Sequence, residues 1–234
     1  MIRSALAIAI VLAVPGWQPA TAAARPAAKA KVDWARRVAV TPEGGFRMGN
    51  PAAKVKLVEY GSLACPHCRH FEDTGYKPLV QQYVRSGQVS YEFRNLLLNA
   101  PDLSASLLAH CAGPAGFFPM SQVVFATQPQ WFAKVSAISS SEHAEIEKMT
   151  DQQRIARLAD IAGFPTIAAK FGVPPARARQ CLTDTKGFDK LLGMTKAAQD
   201  AGVTQTPTFL INGAVNDAST WEQLEPELKK ALGG

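Results

Sequence analysis

Long apolar runs, clustered basic residues and cysteines are all scarce in this chain of 234 residues. Four cysteines are too few to staple a chain of this length, so a hydrophobic core must hold the fold, and 47% hydrophobic residues are enough to build one. Beyond residue 24 no segment is apolar for long enough to span a bilayer. The surplus of 25 Lys and Arg over 19 Asp and Glu gives a net charge of +6, but the basic residues are scattered. No stripe or groove of the kind that binds nucleic acid is present, so no nucleic-acid partner is expected. There is no internal repeat. Metal motifs are incomplete: Cys65, Cys68 and His70 offer three ligands where a closed zinc site needs four, and there is no second C-x-x-C and no H-x-x-x-H. Arg69 after Cys68 breaks the haem-attachment pattern. No metal and no cofactor is expected.

The N-terminus carries an address. Arg3 supplies a small positive region, Ala5 to Val14 is apolar, Pro15 and Gly16 break it, and Ala20-Thr21-Ala22 or Ala22-Ala23-Ala24 offers small residues for cleavage. Residues 1–24 therefore read as a secretory signal peptide, the apolar run being short for a spanning anchor. Export to an oxidising compartment, the periplasm, allows disulfides to persist. An Ala/Pro/Lys-rich lead-in follows over residues 25–31, and residues 25–50 end in a short hairpin, Val38–Val40 with Phe46–Met48, around Thr41-Pro42-Glu43-Gly44-Gly45.

Within residues 51–98, Val55 to Tyr60 is a mostly apolar, β-rich run suited to a buried central strand. A helix is expected from Cys65 to about Arg85, bent near Gly75 or Pro78 and stopped at Gly87, followed by a strand of period two over Val89–Phe93. Residues 99–186 are helical in pattern, with Leu103, Leu107 and Leu108 on one face and Ile155, Leu158, Ala159 and Ala162 on another. Residues 187–234 begin with the helical stripe Phe188, Leu191, Leu192 and Thr195, closed by Gly202. Thr208–Ile211 and Ala214–Asn216 form strands about the Asn212-Gly213 turn, and Ser219 with Glu222 forms a capping box for a last helix. The order β-α-β, helices, α-β-β-α gives an α/β sheet with an inserted helical subdomain.

Cys65-Pro66-His67-Cys68 stands between the first strand and its helix. Two cysteines two residues apart can trade between dithiol and disulfide, and the unpaired N–H groups of a helix start favour the first sulfur as the reactive thiolate. Pro66 lacks an N–H and fits the first turn. Cys65 is the expected exposed nucleophile, Cys68 the shielded resolving thiol, and His67 a source of a hydrogen bond or positive charge for the thiolate.

Through Glu59-Tyr60-Gly61-Ser62-Leu63-Ala64-Cys65-Pro66-His67-Cys68 and Thr206-Pro207-Thr208-Phe209 the chain closely resembles the thioredoxin superfamily, and within it the exported DsbA-like thiol–disulfide oxidoreductases. The resemblance implies a thioredoxin-like fold divided between residues 51–98 and 187–234, interrupted by the helical subdomain. It implies that Glu59 is a buried acid exchanging a proton with Cys68, and that Pro207 is cis and faces the cysteines, with Thr206 contacting substrate. It further implies reduced, unfolded exported proteins as clients and a quinone-linked membrane protein as reoxidant. Threonine before this proline departs from DsbA, which has valine, and is typical of isomerase-like relatives. The segment Arg25 to Asn50 is, however, too short for the dimerisation domain that isomerases carry. An oxidase is expected, with an isomerase or reductase on the same fold, or a noncatalytic chaperone or metal carrier, as alternatives. Cys111 and Cys181 are an even leftover pair, which in an exported chain suggests a structural disulfide, two buried free thiols being the alternative. Trp131 and Phe132 belong either to a peptide groove or to the core.

Overall fold

The computed structural model describes residues 32–234; the signal peptide expected over residues 1–24 and the lead-in over 25–31 lie outside them. Six strands make one sheet: β1 (Val38–Val40), β2 (Phe46–Met48), β3 (Val55–Gly61), β4 (Val89–Asn95), β5 (Thr208–Ile211) and β6 (Ala214–Asn216), in the order β1-β2-β4-β3-β5-β6. Only β3 and β4 run parallel, with Leu57 opposite Tyr91 and Glu59 opposite Phe93. β3 is thus the inner strand between β4 and β5, which explains its near-continuous burial. β5 returns antiparallel, with Glu59 opposite Phe209, so its leading residues 206 and 207 arrive at the end of β3 where the cysteine motif begins. The Asn212-Gly213 turn closes β5 onto β6 with positive φ at both residues, 52° and 86°, as a two-residue hairpin turn demands.

After β3, α1 (Pro66–Phe71) continues through two π-helical stretches, Glu72–Tyr76 and Leu79–Val84. Gly75, inside the first of them, has no room for a Cβ, which would lie 2.7 Å from the Phe71 ring. Between β4 and β5 come α2 (Ala100–Cys111), α3 (Gly113–Ala126), α4 (Gln128–Ser136), α5 (Ser140–Glu147), α6 (Asp151–Ala162), α7 (Phe164–Ala169), α8 (Pro175–Leu182) and α9 (Thr185–Asp200); α10 (Trp221–Leu232) ends the fold. None of the helices among the described residues is long and apolar enough to cross a membrane.

One apolar core runs from the sheet into these helices. Phe46 stacks on Phe117 at 4.0 Å, and Phe71 of α1 packs against Phe209 of β5 at 4.7 Å. Each fully buried side chain of this size contributes roughly 2 kcal/mol. Trp131 is 1% exposed and sits between Phe132 and Phe164, so it is core. Two local expectations need correction. The buried stripe of α9 is Leu191, Met194 and Ala198, leaving Leu192 exposed, because Ala198 turns toward Leu96 and Val203. Thr220, not Ser219, holds the N-cap position of α10, since the Ser219 N–H and hydroxyl both turn to Gln223 Oε1 (2.9 and 3.2 Å).

Candidate active site

The cysteine pair lies where β3 ends and α1 begins. Cys65 holds the N-cap position of α1 in extended backbone geometry (φ −81°, ψ 124°), and Pro66 opens the first turn. Both thiols are free in this structure. Cys68 is 1% exposed, as its shielded position in the turn requires. Cys65 is not the open nucleophile that the motif suggests: it is only 4% exposed. The chain leading into β5 lies against it, and in its thiol form its Sγ donates to the Thr206 carbonyl at 3.2 Å. The Thr206–Pro207 peptide is cis, with Pro207 buried and Thr206 half-buried.

The two sulfurs have opposite proton affinities. Cys65 is lowered from 9.0 to about 5, chiefly because the Cys68 thiol hydrogen-bonds to it. Burial works against this, while the Thr206 side chain and the backbone N–H groups of Cys68 and His67 add to it. The His67 side chain is exposed and takes no part in these contacts; what it contributes is its backbone N–H at the helix start. Cys68 is pushed well above 9.0, by burial first and then by the same hydrogen bond.

Glu59 is 1% exposed, on β3 beneath the pair. Burial, acting before every other cause, raises its carboxyl from 4.5 to about 8, so it holds a proton at neutral pH. The Tyr91 hydroxyl donates to Glu59 Oε2 at 2.5 Å and partly offsets this. Two residues further along β3, Gly61 leaves the space that the Phe93 ring fills, since a Cβ there would lie 2.5 Å from that ring. The dryness around Glu59 therefore comes from β3 and β4 together. Tyr91 belongs to no sequence motif, although its inward place in the Val89-Tyr91-Phe93 alternation puts it on the same face of the sheet as Glu59. Glu72, just past the end of α1, carries no sequence signal either; burial raises it to about 7.

Cys111 and Cys181 lie away from this site and are joined to each other, tying α2 to α8 (S–S 2.02 Å). His70 is exposed, and among the described residues no group of three or more His, Cys, Asp or Glu is gathered as a metal would require.

Residues 41–230 match a thioredoxin family model. The chain is similar to a Rickettsia bellii protein named as a protein-disulfide oxidoreductase, 28% identical over 81% of this chain and 65% of that one. A Rickettsia prowazekii protein of the same name is 27% identical over 79% of this chain and 60% of that one. The chain thus spans less than two thirds of the length of these curated relatives. Among solved structures it resembles a protein-disulfide isomerase from Novosphingobium aromaticivorans, with 28% identity, a TM-score of 0.74, and coverage of 80% of this chain and 97% of that one. The alpha-DsbA1 of Wolbachia pipientis shares the fold at 23% identity and a TM-score of 0.65, over 82% of this chain and 92% of that one. With its sheet, its helices between β4 and β5 and its cysteine pair at the mouth of α1, the chain belongs to the thioredoxin family, in the DsbA-like form of the fold.

Proposed function

We propose that this protein is an exported thiol–disulfide oxidoreductase that donates a Cys65–Cys68 disulfide to reduced, unfolded client proteins. The observation that supports it most is the split between the sulfurs, Cys65 lowered to about 5 and Cys68 raised well above 9.0, with a proton-loaded Glu59 behind them. A client thiolate attacks Cys65 Sγ of the oxidised pair. The new S–S bond forms as the Cys65–Cys68 bond breaks, and the electron pair of that bond leaves on Cys68. So basic a thiolate is a poor leaving group, and the neutral carboxyl of Glu59 supplies it with a proton. A second client thiolate then attacks the client sulfur of the mixed disulfide, the client's own disulfide closes, and Cys65 departs as its stabilised thiolate. Two client thiols are oxidised and one enzyme disulfide is reduced.

The same stabilisation of the reduced form makes the disulfide an oxidant. DsbA shows the same pairing of properties, an acidified first cysteine accompanying a strongly oxidising bond. Thr206 and Pro207, packed against Cys65, suit the docking of an extended client strand, and a cavity of about 310 Å³ beside Pro207 leaves space for its side chains. Export is supported by the leader pattern of residues 1–24, and a quinone-linked membrane protein is the reoxidant the resemblance implies. Isomerase activity is the second reading, favoured by Thr206 and by the name of the similar Novosphingobium protein.

The test is equilibration of the purified protein in glutathione buffers beside an assay on a reduced two-cysteine protein. An oxidase holds its pair reduced under conditions that keep ordinary structural disulfides closed, and Cys65→Ser abolishes client oxidation. A Cys65→Ser protein that oxidised clients at the normal rate would end the proposal. A pair kept mostly reduced in the periplasm would favour the isomerase.

A further inference from the structure

Between the last residue of β3 and the nucleophile lies a turn, Ser62–Cys65, that no strand pairs. Inside the turn one backbone bond closes, from the Cys65 N–H to the Ser62 carbonyl (3.1 Å). Much of what else holds it comes from two buried side chains of the helices between β4 and β5. Asp102 of α2 is 0% exposed: its Oδ1 accepts the Leu63 N–H at 3.0 Å, and its Oδ2 accepts the Ser62 hydroxyl at 2.5 Å. Ser62 Oγ in turn accepts the Ala64 N–H at 3.1 Å. Gln128 of α4, 3% exposed, donates its Nε2 to the carbonyls of Leu63 (3.0 Å) and Cys65 (3.2 Å). The Leu63 residue is therefore gripped on both sides, its N–H by one helix and its C=O by another.

The chemistry of the two side chains matches what they hold. Asp102 also accepts the Leu98 N–H at 3.0 Å and the Ser106 hydroxyl at 3.4 Å, so four donors converge on one carboxylate. Only a group that accepts at both oxygens satisfies them, and an amide would turn its own N–H toward a donor. Gln128 faces carbonyls and supplies the donor that a carboxylate lacks. The turn also reaches the second sulfur, because the Ser62 backbone hydrogen-bonds Cys68. Neither side chain hydrogen-bonds a sulfur, and neither belongs to a motif.

We propose that Asp102 and Gln128 are positioning residues through which the helices between β4 and β5 hold the Ser62–Cys65 turn in the geometry that lets the two cysteine sulfurs share a hydrogen bond. The inference rests on the dithiol–disulfide reading of the site and adds to it that the helical stretch sets the reactivity of the pair. When the grip is lost, the sulfurs separate and Cys65 loses the contact that acidifies it most.

Asp102→Asn and Gln128→Met keep volume and remove the acceptor or the donor; the second protects the test if the first does not fold. The readouts are the thiolate titration of Cys65, the difference in thermal stability between oxidised and reduced protein, and amide exchange at Leu63 and Ala64. The Cys65 midpoint should rise by about one pH unit in either variant, about a tenfold change in thiolate proton affinity. The gap between the redox forms should narrow, and exchange at Leu63 should accelerate locally. A merely structural role would lower both redox forms equally and leave the Cys65 titration in place, which would overturn the proposal. A wild-type Cys65 that titrates like a free thiol would remove the functional reading instead. Leu63 exchange then decides the clamp alone, local acceleration supporting it and unchanged rates refuting it.

Discussion

Glu59→Gln isolates the cost of holding a proton in the core. The carboxyl titrates at 4.5 in an open chain and at about 8 in the folded one. Between these values the folded chain keeps a proton that the unfolded chain has released, so stability from this group is whole below 4.5 and is lost as pH rises toward 8. The slope is about 1.4 kcal/mol per pH unit, giving a loss of about 3 kcal/mol by pH 7 and about 5 kcal/mol above pH 8. Gln fills the same space, still accepts from Tyr91 and does not titrate. Cys65 drives the opposite trend in the reduced protein: lowered from 9.0 to about 5, it adds stability as pH rises between those values. That trend is common to both proteins and cancels to first order in their difference. Denaturant unfolding of the reduced proteins at several pH values should therefore show the variant gaining on the wild type by about 3 kcal/mol between pH 4.5 and 7. A difference that stayed flat over this range would mean that Glu59 ionises as it does in water, and the proton donor for Cys68 would be lost.

Cys68→Ala removes the hydrogen bond that lowers Cys65 most, and the Cys65 titration should move up by about one to two pH units; an unmoved midpoint would assign the acidity to Thr206 and the helix start instead. Tyr91→Phe deletes the donor to Glu59 Oε2, so the carboxyl should titrate above 8, followed by infrared difference spectra, with a loss of about 1 kcal/mol in stability. Replacing Cys111 and Cys181 together by Ala opens a link across a sequence separation of 70. Stability should fall by about 3 kcal/mol on denaturant unfolding while the Cys65 titration stays where it is, and a shifted titration would show that this pair reaches the active one.

The sheet was legible because its signals are local. Period two in Val89–Phe93, an apolar run ending at Gly61-Ser62 and the Asn212-Gly213 turn each act within a few residues, and the structure holds strands and a turn at those places. The cysteine motif was legible because its spacing is itself the chemistry. What the sequence hid depends on elements far apart in the chain. Burial of Cys65 comes from the approach of Thr206, 141 residues away. His67 stood out by residue type, yet its backbone makes the contact, a distinction that side-chain identity does not carry. Asp102 and Gln128 carry no motif in the sequence, and only the fold sets them against the Ser62–Cys65 turn. The Ser219 cap failed for a smaller reason: Gln223, one turn on, outcompetes the helix start for its hydroxyl.

Ionisation of Cys65 is the most direct test of the oxidant chemistry, followed by the ultraviolet absorbance of its thiolate in the reduced protein as pH is raised. A midpoint near 5, with Cys68 still protonated beyond pH 9, is the expected result. A single transition of both thiols near 9 would contradict it, and with it the view that the reduced pair is stabilised enough to make the disulfide an oxidant.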